Sequence, residues 1–158
     1  MKAQMEKAAR AWRGFRRLRS AERGVAMEAA AILLATRAGL RFAGFNGWKR
    51  ALELFTPSAH PGASEPPLSA AHTIARIEEA AANYAPFRPN CLERSLALWW
   101  LLQRRGISAE VRAGARKAGS RFEAHAWVEW RGTVLMGEDE EGSFVPFDGP
   151  VTMGAPAR

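Results

Sequence analysis

At 158 residues with 47% hydrophobic and 25% charged side chains, the chain is sized and composed as one globular domain and not as a disordered segment. A single cysteine excludes an internal disulfide, and with it both a secreted disulfide scaffold and a cysteine-rich zinc module, so a reducing cytoplasm is the expected compartment. The net charge of +7 admits nucleic acid, an anionic surface or an acidic peptide as a partner.

Much of that charge lies near the N-terminus, in Arg10, Arg13, Arg16, Arg17, Arg19 and Arg23. The segment is basic and amphipathic and has no signal-peptide core. With no nucleic-acid motif beside it, no nucleic-acid partner is expected. Ser20 is the predicted N-cap of a first helix, with Val25, Ala29, Ile32, Leu33, Thr36 and Leu40 at helical spacing and Gly39 as its stop. Glu28 and Arg37 interrupt its most apolar stretch, so no membrane span is expected. A short helix over "GWKRALELF" and a proline-rich loop at 56–67 follow. Ser69 is predicted to cap a helix whose apolar face is Ile74, Ile77, Ala81 and Tyr84, ended by "APFRP".

Asn90 is the expected cap of a helix starting at Cys91. Leu92, Ser95, Leu96, Trp99 and Leu102 form its apolar face, and Gly106 closes it. "ISAEVRAGA" alternates as a strand, as does "AHAWVEW". In the latter Ala124, Ala126, Val128 and Trp130 point one way, and His125, Trp127 and Glu129 the other. "RG" at 131–132 is a turn, and "TVLMG" the return strand. The expected class is α+β. Residues 1–67 form a helical N-terminal region and loop, 68–150 a core, and 151–158 a flexible tail.

A thiol in the first turn of a helix faces unpaired amides and the positive end of the helix dipole. Both favour thiolate, and the same amides suit an oxyanion. A general base is also required, and a histidine could serve. His60 lies in the proline-rich loop and His72 near a helix start, whereas His125 sits on a strand that can hold it rigidly. A lone cysteine in an apolar helix is ordinarily buried, and a lone strand histidine ordinarily structural. One cysteine and scattered histidines give no metal-ligand spacing, and no cofactor is expected. A two-residue loop at Arg131 and Gly132 would put Glu138 opposite His125, while a bulge or longer loop would bring Asp139 or Gly137 there.

"CLERSLALWWLLQRRGISAEVRAGARK", "FEAHAWVEWRGTVLMGE" and "FVPF" together resemble the transglutaminase-like B2 proteins of lasso peptide biosynthesis. The resemblance implies a papain/transglutaminase-like fold and a cysteine leader peptidase. Such an enzyme removes the leader from a ribosomally made precursor, and a separate cyclase then closes the macrolactam. It further implies Cys91 as nucleophile, His125 as base, and a PqqD-like leader-binding protein as a separate partner, with the basic N-terminal helices as the docking surface for that partner or for the leader. Where the family carries an aspartate, the ungapped position here is Gly137. Glu138 is the favoured acid and Asp139 the alternative. An amide crosslinker on the same scaffold and a non-enzymatic, salt-sensitive peptide-binding module are the rival readings.

Overall fold

In the computed structural model, residues 16, 18–56, 66–136 and 144–147 are described. Helix α1 (Ser20–Leu54) begins after Arg19, which takes the N-cap position in place of Ser20; its amide donates to Glu22 Oε2 at 2.8 Å. The helix does not stop at Gly39. It breaks at Gly44, whose φ of 67° and ψ of −179° lie outside any helix, a conformation glycine adopts without steric cost. Gly39 serves packing instead, because a Cβ there would overlap the indole of Trp48. The chain thus folds back after Gly44 and lays Trp48 on the first segment, while Leu52 enters the core. Ala29, Ile32, Leu33 and Thr36 are buried as their spacing predicts.

Helix α2 (Leu68–Tyr84) starts behind Pro67, so Ser69 lies inside it and accepts from Thr73 Oγ1 through its carbonyl. Ile74 and Ile77 are buried, and Tyr84 is largely exposed. Helix α3 (Cys91–Gln103) is buried on more than the one predicted face, since Ala97, Leu98 and Leu101 are inaccessible along with Leu96 and Leu102. It is the central element, packed by α1 and α2 on one side and by the sheet on the other. A helix enclosed on all sides is apolar all round. Gly106, with φ 73°, turns the chain after it.

The sheet contains β1 (Glu110–Ala118), β2 (Arg121–Trp130), β3 (Thr133–Met136) and β4 (Val145–Pro146) in the order β3-β2-β1-β4, with every pairing antiparallel. Arg131 and Gly132, with φ of 53° and 75°, make the two-residue hairpin loop, and Trp130 pairs with Thr133 as the sequence predicts. The alternation of β2 holds as well. Val128 and Trp130 join the core shared with the three helices, while Trp127 joins Val134 and Phe144 in a second cluster. The fold is α+β, a helical N-terminal region followed by an antiparallel sheet. Among the described residues no helix is long and apolar enough to cross a membrane. The proline-rich loop with His60 and the tail lie mostly or wholly outside the described residues.

Candidate active site

Cys91 is the first residue of α3 and is half-buried. Asn90 and Glu93 hold this helix start by a reciprocal exchange. Asn90 Oδ1 accepts from the Glu93 amide at 2.8 Å, and Glu93 Oε2 accepts from the Asn90 amide at 2.9 Å. This capping box is written in the sequence as Asn-Cys-Leu-Glu. It uses the amides of Asn90 and Glu93 and does not engage those of Cys91 and Leu92. A thiol and two backbone donors therefore sit together in one helical turn. Glu93 is 6% exposed, and Arg37 Nη1 lies 3.7 Å from its Oε1, which ties the turn to α1. Replacing Asn90 with alanine is expected to lower stability by about 1 kcal/mol, read as a shift in the urea midpoint.

Arg94, next along, anchors the same turn to α2. Its guanidinium donates to both oxygens of Glu78, at 3.4 and 3.1 Å. Glu78 is fully buried. Burial pushes its carboxyl above the ordinary carboxylate value, Arg94 pulls it back only in part, and neighbouring Glu79 adds to the rise.

His125 lies in β2, half-buried, with Gly114 as its cross-strand partner on β1. Its ring is stacked on Trp127 at 6.3 Å between centroids and tilted against Phe144 at 5.2 Å. Trp127 is itself fixed: Nε1 donates to Glu129 Oε1 at 2.9 Å, and Arg112 Nε lies 3.1 Å from Glu129 Oε2. The structure brings the helix that starts at Cys91 against the strand that carries His125. By strand alternation the imidazole lies on the face opposite that of Val128 and Trp130, whereas α3 packs on the Val128 and Trp130 face. His72 is half-buried within α2, away from this strand in sequence and element. Among the described residues no three metal-ligating side chains gather.

Gly137, Glu138 and Asp139 lie outside the described residues. The pairing that leads towards them is visible and departs from the simple hairpin count. Glu129 pairs with Val134, but Val128 pairs with Met136, with a bulge between. Leu135 is the extra residue, and its side chain turns into the main core. At Met136 the register therefore runs one residue later than an unbroken hairpin would place it.

The sequence profile of the transglutaminase-like superfamily matches residues 32–147. The chain belongs to the transglutaminase-like superfamily. The match opens inside α1 and runs to the end of β4, so it takes in the helical region as well as the sheet. The superfamily is built largely of cysteine-based enzymes and includes proteases and acyltransferases. No curated protein and no solved structure matches the chain.

Two features of this transglutaminase-like site were missed in the sequence. Strand β4 is two residues long and contains proline, too little for any alternation to register. The Glu78–Arg94 pair joins residues on separate helices, and nothing local marks it.

Proposed function

We propose that this transglutaminase-like protein is a cysteine leader peptidase, which cuts a ribosomally made lasso precursor at the leader–core junction and frees the core N-terminus for a separate cyclase. The observation that carries the reading is a half-buried cysteine at the capped start of α3, on a helix packed against the strand of His125. The ordered blocks around Cys91, around His125 and at Phe144–Phe147 support the finer assignment. The Cys91 thiolate attacks the scissile carbonyl, and the amides of Cys91 and Leu92 receive the oxyanion. His125, carrying the thiol proton, gives it to the departing amine of the core. Water, deprotonated by His125, then hydrolyses the thioester, which releases the leader carboxylate and restores the thiol. The face of β2 that α3 covers is filled by Val128 and Trp130, so the proposed chemistry requires the sulfur to reach the imidazole past the edge of the strand.

The third catalytic group in this proposal is Asp139. The bulge between the Glu129–Val134 and Val128–Met136 pairs favours Asp139, the alternative left open in the sequence, over Glu138. Asp139→Asn is expected to lower kcat by about 10⁴-fold if it acts as the orienting acid, with Glu138→Gln within about threefold of the native enzyme. Mass spectrometry of precursor cleavage reads both, and the reverse ranking assigns Glu138. Adding a free amine separates hydrolysis from crosslinking: water in the product marks a peptidase, amine incorporation a transferase.

Leader docking is proposed at an apolar groove of about 540 Å³ between α1 and α2, floored by Ala26, Ala30, Ile77, Ala80 and Ala81. Arg76 lines it, and exposed Arg19 at the N-cap and Arg23 in the first turn of α1 flank Glu22, so an amphipathic acidic segment suits it. Its Leu34 and Tyr84 end lies near Arg37, which contacts Glu93 beside Cys91. Ala30→Trp is expected to raise the KM for precursor about tenfold while leaving alkylation of Cys91 by iodoacetamide unchanged. A separate PqqD-like protein would present the leader here.

A further inference from the structure

We propose that Phe144 is a positioning residue for His125: β4 docks on β1 at Gly114 and sets the phenyl ring against the imidazole, which it holds in one orientation. This rests on His125 being the base of the peptidase reading.

The strand is otherwise hard to explain. Val145, Pro146 and Phe147 are all exposed, at 73% for Val145 and 53% for Phe147, whereas Phe144 is 7% exposed. Burial of its own side chains therefore does not hold β4 in place. What holds it is the ladder to β1, with Gly114 opposite Pro146, Ala115 opposite Val145, and the Phe147 amide donating to the Ala113 carbonyl at 3.0 Å. That ladder delivers one ring to the interior, beside Trp127 and Val134.

Gly114 makes the approach feasible. A Cβ there would lie 2.6 Å from the Val145 carbonyl oxygen, closer than real Cβ atoms come, and a tight 3.1 Å from Trp127 Cη2. The same glycine is the cross-strand partner of His125, so β1 offers no side chain to brace the imidazole at that position. Phe144, the residue before β4, supplies the brace, 5.2 Å away. The Arg116 guanidinium lies over the same phenyl ring, 4.5 Å from its centroid, and Arg116 is held by Glu123 at 2.7 Å. The imidazole thus contacts two rings, each fixed by an ion-paired arginine: Trp127 through Glu129 and Arg112, and Phe144 through Arg116 and Glu123. An orientation fixed in this way is what a proton-transfer group needs.

The test is the pH dependence of Cys91 alkylation by iodoacetamide in the full chain, which needs no peptide substrate. The native protein is expected to stay reactive below the ordinary thiol range, as a thiolate paired with imidazolium does, and His125→Ala to lose that arm. Phe144→Ala, with native circular dichroism, is expected to weaken the arm roughly ten- to hundredfold, and Phe144→Tyr, which keeps the ring, to restore it. If Phe144→Ala does not fold, Phe144→Leu keeps the buried volume without the ring and carries the same expectation. A Phe144→Ala or Phe144→Leu profile that superimposes on the native one, while His125→Ala loses the arm, overturns the positioning role and leaves the base assignment standing. Native and His125→Ala profiles that coincide overturn the base assignment and the positioning role with it.

Discussion

Cys91→Ala is expected to abolish precursor cleavage, a loss of at least about 10⁴-fold in kcat, with the fold and the binding of precursor retained. The side chain is small, half-buried and placed at a helix start, and alanine has the higher helix propensity. The cap is built by Asn90 and Glu93, so the substitution leaves it in place. Circular dichroism and a thermal melt check the fold. A mass-spectrometric time course with precursor and leader-binding partner checks the activity. A correctly folded Cys91→Ala protein that cleaves at the native rate would remove the nucleophile from the mechanism and leave a peptide-binding role for the basic helices, one that would weaken with salt and be indifferent to position 91.

Arg94→Met is the second large effect, and it acts on stability. Glu78 is fully buried and its ion-pair partner is Arg94. Removing one member of a buried pair leaves the other charge uncompensated, at about 3–5 kcal/mol, or a melting temperature lower by on the order of 10 °C. The Glu78 carboxyl already titrates above the ordinary value because of burial. A raised folded value means the folded state holds a proton that the unfolded chain releases. The contribution of this carboxyl is therefore fully present below its unfolded value and lost as pH rises through the folded one. Arg94 lowers the folded value, so its loss raises it further. The deficit of Arg94→Met should be largest at neutral pH and shrink on acidification towards the ordinary carboxylate range. Urea melts across that range measure it. The double variant with Glu78→Gln, which carries no charge to strand, should recover most of the loss at neutral pH. A deficit independent of pH would mean that the pair contributes packing and not charge compensation.

The two predictions meet in one short segment. In Cys-Leu-Glu-Arg the first residue is the proposed nucleophile, Glu93 completes the cap, and Arg94 bolts the turn to α2. Arg37 adds a tie to α1. A reactive group on a helix start is only as well placed as that start is rigid, and here three side chains from two neighbouring helices and the cap residue hold it. The stability of the pair and the reactivity of the thiol are thus expected to be coupled, through position and not through charge.

The sequence by itself determined what depends on near neighbours. The α3 start at Cys91 follows from Asn90, the turn at Arg131 and Gly132 from its two-residue spacing between alternating strands, and the two faces of β2 from alternation, because capping, turn geometry and pleat are set within a few residues. It also pointed to the superfamily, through blocks of local motif. Only the tertiary structure decided what depends on distant parts of the chain. Gly39 looks like a helix stop, yet it is passed through and reserved for Trp48, because packing overrides propensity where an indole needs room. The bulge between the Glu129–Val134 and Val128–Met136 pairs interrupts the simple hairpin count, and the side chain of Leu135 lies in the core. Gly114, Phe144, Glu78 and Arg94 acquire their roles from contacts across strands and helices, and such contacts have no period for a sequence to display.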